Sequence, residues 1–475
     1  MNDRRFYRLV PALAATCLTV ACGSVLQLAG IEGTGDSTGS ASGYGSLFVN
    51  GRAFATDTTQ FTLNGETVTE ADIRIGMQTR VEGDLLAPRA DRVTAARSLL
   101  APIDGISRVG AVKAATLSIL GQNVQVDEMT RLVGTSLDAL HSDMLVDVHA
   151  LVSDDGGLLA TYLTVADDAY VPASQELLVT GYIDTLSATE LTMGSLTVDL
   201  TATADTDTLA VGDRVRVQGH QPSRGGDLIA TTIARDTLNP VPGSYADRAV
   251  LVDGVDGNTL IAGATTIALG GAQRLDRSGA TIEPGTHVIA RGPVDASGLL
   301  TAVDVEVLPA PDVVLRGQAA VQNGEIRVLD QAVATRAVTQ LLESRAGAAR
   351  QFAATDIRAG DALTIVGYRD TSGDLVATRI ERQDALALAS AYGELSELVT
   401  GDESTRMRVG GVQVVADSET VYESVAGTEI PKAVFEATAT AGLTTQAWGV
   451  EDQAVGVLRA DRIRLLNSEE DIAGR

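Results

Sequence analysis

A nine-residue pattern returning at a near-constant interval constrains this chain more than any other feature. It reads IGMQTRVEG at 75–83, VGDRVRVQG at 211–219, PGTHVIARG at 284–292 and AGDALTIVG at 359–367. A degenerate form, AGLTTQAWG, lies at 441–449, and SDMLVDVHA at 142–150 fits the same slot without either glycine. The leading positions 76, 143, 212, 285, 360 and 442 are 67, 69, 73, 75 and 82 residues apart. Such a pitch marks a tandem array of similar units rather than one large core.

Within a unit the physics is that of short strands. Val215-Arg216-Val217-Gln218 alternates apolar and polar, as a half-buried strand requires. Gly76, Gly212, Gly285 and Gly360 precede this strand and suit a turn. Gly83, Gly219, Gly292 and Gly367 close it and suit a bulge or bend. A second pattern follows each time, as in GDLIATTIAR at 226–235 and GDLVATRIER at 373–382, and makes a hairpin. A third, weaker pattern precedes, as in LGQNVQVDEMTRLVG at 120–134. Five short, twisted strands with an internal glycine bend are what a small closed barrel needs. Short helical turns are expected before the glycine turn, as at 136–140, and the insertion at 340–354 reads as a surface helix.

The expected architecture is therefore all-β: about six five-stranded barrels in tandem. The repeats span 43–98, 101–168, 176–238, 246–309, 312–384 and a divergent sixth, 390–468, with a tail at 469–475. Ahead of them, GIEGTGDSTGSASGYGS at 30–46 has the composition of a flexible linker, so 22–42 is assigned to a tether.

The first 21 residues read as a leader. MNDRRFYR supplies three arginines, and LVPALAATCLTVA supplies an apolar run too short to span a bilayer comfortably. Leu18-Thr19-Val20-Ala21-Cys22 resembles the bacterial lipobox, with Thr19 where leucine is commoner. The resemblance implies cleavage before Cys22 and acylation there, which anchors a chain stably once two or more acyl groups are attached. Gly23 after the cysteine carries no inner-membrane retention signal, so an outer-membrane lipoprotein facing periplasm or cell surface is expected. Cys17 is the only other cysteine, so no disulfide or thiolate site serves the repeats.

The formal charge is −26, and loss of the leader brings it near −28. That field repels nucleic acid and anionic head groups. Aromatics are 3%, so neither the basic groove nor the stacking platforms of a nucleic-acid barrel are present.

Three motifs together resemble the bacterial domain-of-unknown-function family 5666. They are the opening GSLFVNG at 45–51, the L-x-x-G-D-x-V-x-V-x-G run and the G-x-L-x-A-T-x-I run. The resemblance is closest in the first, third and fifth units, fair in the second and fourth, and weak in the sixth. It implies repeated oligonucleotide/oligosaccharide-binding-like (OB-like) barrels in an envelope protein, with no catalytic residue to carry over.

Candidate chemistry is sparse. The four histidines, 141, 149, 220 and 287, lack zinc spacing and read as surface or barrel-end residues. Asp154-Asp155-Gly156, Asp205-Thr206-Asp207 and the Asp253–Asn258 stretch lack a full calcium loop and read as turns between strands. No metal and no cofactor is expected. Tyr44, Tyr182 and Tyr392 recur near opening strands and Trp448 ends a repeated strand, which makes them candidate ligand contacts. The reading is a non-enzymatic envelope lipoprotein that binds or scaffolds an unknown protein or glycan. A carbohydrate- or peptidoglycan-binding protein is the alternative, and an enzyme with its site in divergent unit two or six ranks below both.

Overall fold

Strands, most with alternate side chains turned inward, make up nearly all of the regular structure in the computed structural model. It describes residues 34–44, 46–108, 114–153, 157–203, 208–236, 240–263, 265–453 and 456–467. Cys17, Cys22 and the tail at 469–475 lie outside the described residues. So do Gly45, Asp154-Asp155-Gly156 and Asp205-Thr206-Asp207. Among the described residues no helix is long and apolar enough to cross a membrane.

The second repeat shows how a unit closes. Leu99–Arg108 pairs antiparallel with Ala115–Ile119, which pairs with Gln122–Val126. That strand runs parallel to Gly157–Asp167, whose other edge takes Leu145–Val152, and Leu145–Val152 returns to Leu99–Arg108. The result is a small ring with OB-like strand order. Leu117, Val124 and Val148 point into it, wholly buried. The same order of pairings joins Val313–Gln322, Glu325–Val328, Gln331–Ala334, Leu375–Gln383 and Ala362–Arg369. It recurs through Ala389–Val399, Thr405–Val409, Val412–Glu423, Val457–Leu465 and Thr444–Asp452. The first and fourth repeats use shorter, more broken strands. Several small barrel-like sheets thus follow one another along the chain.

One hydrogen bond repeats with the motif. The turn residue donates its N–H to a carbonyl of the opening strand: Gly76 to Ala41, Gly212 to Ile183, Gly285 to Val252 and Gly360 to Ala319, all at 2.7–2.8 Å. Asp143 N–H makes the same bond to Ile103, at 3.0 Å. It does so with φ of 81°, a left-handed conformation that Asp tolerates better than most residues. This is how the second unit keeps the turn without a glycine. The closing glycines meet backbone instead of space. A Cβ at Gly292 would stand 1.9 Å from the Thr301 carbonyl oxygen. Gly83, Gly219 and Gly367 sit at register shifts where the hairpin bulges.

Three expectations are corrected. Thr34–Gly43, assigned to the tether, is a strand, and it is the opening strand of the first repeat. The pairing of Ala41 with Gly76 shows it, since Ala41 stands where Ile183 and Val252 stand in other units. Its linker-like composition has a packing cause. It lies between Gln78–Asp84 and Tyr245–Leu251, and a Cβ on Gly35 would fall 2.2 Å from the Tyr245 carbonyl oxygen. GSLFVNG at 45–51 is accordingly the second strand region, not the opening. The second correction concerns 340–354. Gln340–Glu343 is a strand parallel to 379–382, with Leu342 buried, and only a short 3-10 turn follows at Ala354–Asp356. Glu343 is held by Arg382 Nε at 2.8 Å, and Gly347 takes a positive φ that ends any helical run. Third, the barrels are not separate cylinders. Each opening strand pairs with its own barrel over its whole length, yet its first half has one free edge. Those edges pair with each other: Gly35–Thr38 with Tyr245–Arg248, Leu99–Leu100 with 178–179, and Val314–Arg316 with 390–392. Edge pairing removes the exposed backbone that isolated barrels would present.

The short turn at Leu137–Ala139 is present, with the Ser136 hydroxyl accepting from the Ala139 N–H. In the last repeat the corresponding connection carries a helix, Lys432–Thr438, that buries Phe435 against Tyr422 with ring centroids 4.8 Å apart.

Candidate functional site

Among the described residues, cavities lie between barrels joined by their opening strands, and two of them stand out. The larger, about 560 Å³, is walled by the first, second, fourth and fifth repeats. That is the size class of a small-molecule site. Its walls are rich in hydroxyl and amide groups, among them Ser40, Gln125, Thr161, Thr286, Gln340 and Thr378. Several are pre-set by the protein. Gln78 donates to Ser40 at 2.8 Å and to Thr161 at 3.1 Å, and Thr378 donates to the Val366 carbonyl at 2.9 Å. The Gln340 side-chain carbonyl is buried and has no hydrogen-bond partner. The wall's buried carboxylates are committed elsewhere. Glu306 accepts from Arg291 at 3.1 Å and is ion-paired with Arg336 at 3.1 Å. Asp127 accepts from the Met129 and Thr130 N–H groups, and burial holds its pKa above the usual carboxylate range. His287 lines the same cavity, and burial lowers it to about 4, so it is neutral at pH 7.

The smaller cavity, about 310 Å³, lies where the first four repeats converge. Arg80, Arg97, Arg214, Arg216 and Arg248 line it, against a single lining carboxylate, Asp236. Arg214 and Arg216 alternate with wholly buried Val215 and Val217, so the strand turns its valines into its own barrel and its arginines toward the neighbours. Behind the wall, Asp36 takes Arg248 at 2.6 Å and Arg80 at 3.2 Å, and Asp147 takes Arg97 at 3.2 Å. Burial raises the pKa of Asp147 and lowers that of Arg216. His149 sits beside this wall with no exposure, in edge contact with Tyr162, which corrects its reading as a surface or barrel-end residue. Burial foremost, then the charges of Arg97 and Arg216, lower it to about 3.

The aromatic candidates do not meet. Tyr182 lines the smaller cavity; Tyr44, Tyr392 and Trp448 line neither. Tyr44 donates to the Ile73 carbonyl at 3.1 Å, and Tyr392 and Trp448 belong to paired strands of the sixth repeat. Among the described residues no group of three metal-ligating side chains forms. Asp253 instead accepts from Ser153 at 2.7 Å and from the Gly263 N–H. The arginine cluster was not singled out from sequence. Its signal was there in Arg214-x-Arg216, but its partners come from other units.

The sequence model of a domain of unknown function, DUF5666, matches residues 106–164, 180–234 and 318–381. Three segments of the chain are thus DUF5666 domains. The matched segments are the second, third and fifth repeats, each from within the opening strand to within the last. The motif likeness had been closest in the first, third and fifth; the second unit qualifies because its strands persist although both motif glycines are gone. Of the smaller cavity's arginines, the DUF5666 segments contain Arg214 and Arg216, while Arg80, Arg97 and Arg248 lie outside them. No curated protein matches the chain.

Proposed function

We propose that this protein is a non-enzymatic lipoprotein of the bacterial cell envelope, anchored through Cys22, that binds a carbohydrate fragment in its larger cavity. The observation carrying this reading is the set of uncharged hydroxyl and amide side chains spread over the cavity's otherwise largely apolar wall. A sugar presents many hydroxyls and no charge, and it is recognised by side chains that both donate and accept. Ser40, Gln125, Thr286 and Thr378 offer that chemistry, and the Gln340 carbonyl is an acceptor still waiting for a donor. The buried carboxylates that would serve as acid or base in an enzyme are held in an ion pair or a turn. Repeated barrels favour reach and avidity over a single reacting centre.

Co-sedimentation of the full chain with purified peptidoglycan sacculi, competed by soluble glycan fragments, tests the binding. Retention is expected, and Gln340→Leu should weaken it about tenfold by deleting one buried hydrogen-bond group, worth roughly 1.4 kcal/mol. Absence of retention by sacculi and by neutral glycans would remove the carbohydrate. Anchoring is tested separately: cells fed labelled palmitate should label the wild-type chain and not Cys22→Ala, and an unlabelled wild type would refute the lipid anchor.

A further inference from the structure

We infer that the smaller, arginine-lined cavity is a binding site for a phosphate monoester, independent of the glycan site. Composition works against such a wall, since the chain has 62 acidic and 36 basic residues. Five arginines nevertheless line one cavity. Three carboxylates compensate them: Asp36, shared by Arg80 and Arg248; Asp147, beside Arg97; and Asp236, at 2.9 Å from Arg214. Glu82, 3.5 Å from Arg80, is taken more closely at 3.0 Å by Arg92, which does not line the cavity. Among the described residues Arg216 has no carboxylate at ion-pairing distance; it is oriented by donating to the Arg97 carbonyl at 2.8 Å. Two positive charges are left over, the charge of a phosphate monoester reversed. Guanidinium forks match phosphate geometry and bind it through paired N–H groups.

A second observation points the same way. Thr180 and Thr38 line the cavity at 1% and 9% exposure, and neither hydroxyl has a hydrogen-bond partner. A buried hydroxyl left unpaired is costly, so these are donors awaiting an acceptor. An oxyanion supplies one to each. The volume admits a phosphate carrying a short substituent. A carboxylate would answer one charge and leave the other uncompensated in a partly buried wall.

Calorimetric titration of the full chain at low salt, with inorganic phosphate, glycerol 3-phosphate and acetate, decides it. Saturable binding of both phosphates is expected, at least tenfold tighter than acetate and weakening as salt rises. Arg216→Met keeps the stem and removes the uncompensated charge, and should weaken phosphate tenfold or more. Thr180→Val guards against a folding artefact. It deletes a hydroxyl with no partner in the protein, so unfolding of the free protein should be unchanged or shifted upward while phosphate binding weakens several-fold. No saturable phosphate binding, acetate binding as tight as phosphate, or full affinity in both variants would overturn the site.

Discussion

Replacing Arg248 by methionine is expected to destabilise the junction of the first and fourth repeats by about 3–5 kcal/mol, the cost of breaking a buried ion pair. Arg248 is 2% exposed, and its guanidinium donates to the Asp36 carboxylate at 2.6 Å and to the Asp36 and Asp247 backbone carbonyls at 3.1 Å. It leaves the fourth repeat's opening strand at the end of the four-residue parallel register with Gly35–Thr38. Without it, Asp36 stays equally buried with Arg80 as its remaining cation, 3.2 Å away, and one carboxylate oxygen already unpartnered. The penalty comes mostly from that stranded charge, so Arg248→Met with Asp36→Asn should recover much of it. Urea unfolding, followed at its first transition because a multi-unit chain need not unfold in one step, measures both. An unchanged midpoint in the single variant would show that the two opening strands are not held together by this pair.

The junction also shows where the sequence was readable. Strands that alternate, such as 215–218, and turns that need a left-handed residue follow from local rules, so the pitch of the array was visible in the glycines. Asp143 confirms the logic, because it keeps the turn's hydrogen bond where the glycine is missing. Thr34–Gly43 was misread because a strand squeezed between two others selects small residues, the same residues a flexible tether selects. Composition cannot separate those causes; the backbone of Tyr245, more than 200 residues away, decides.

Gln340–Glu343 failed for a related reason. Its strand pairing and its ion pair with Arg382 are contributed by a segment about 40 residues later. The arginine-lined cavity was the least legible. Alternation tells that Arg214 and Arg216 point out of their own barrel. It says nothing of what they point at, because that depends on which opening strands join. Fold within a repeat is local information, while the sites lie between repeats.

Acid should weaken the fold from pH 6.5 down to about 4, because two desolvated histidines, His149 and His287, must stay uncharged in it. His149 has no exposure and a pKa lowered to about 3, and His287 is lowered to about 4, both through burial. In the unfolded chain both take up a proton near pH 6.5. Between those limits the unfolded state binds more protons than the folded one, so stability falls as pH falls. His149 alone accounts for roughly 4–5 kcal/mol over the full window, at 1.36 kcal/mol per pH unit of displacement. The groups around it explain the direction. Desolvation acts first, the charges of Arg97 and Arg216 add to it, and neither the Ala96 backbone contact nor Asp147, 4.0 Å away, offsets them. Tyr162 packs edge-on against the ring at 5.5 Å and stays neutral throughout. The desolvated carboxylates Asp147, Asp127 and Asp247 carry raised pKa values. They take up protons in the folded state before the unfolded one, so their contribution grows as pH falls through those raised values and flattens the lower end of the curve. His149→Phe keeps a ring against Tyr162 and removes the titration. Urea midpoints measured from pH 8 to pH 4 should therefore fall less steeply for the variant than for the wild type below pH 6.5. Parallel curves would mean that His149 is reached by water or by a proton acceptor, and that the wall beside the arginine cavity is open there.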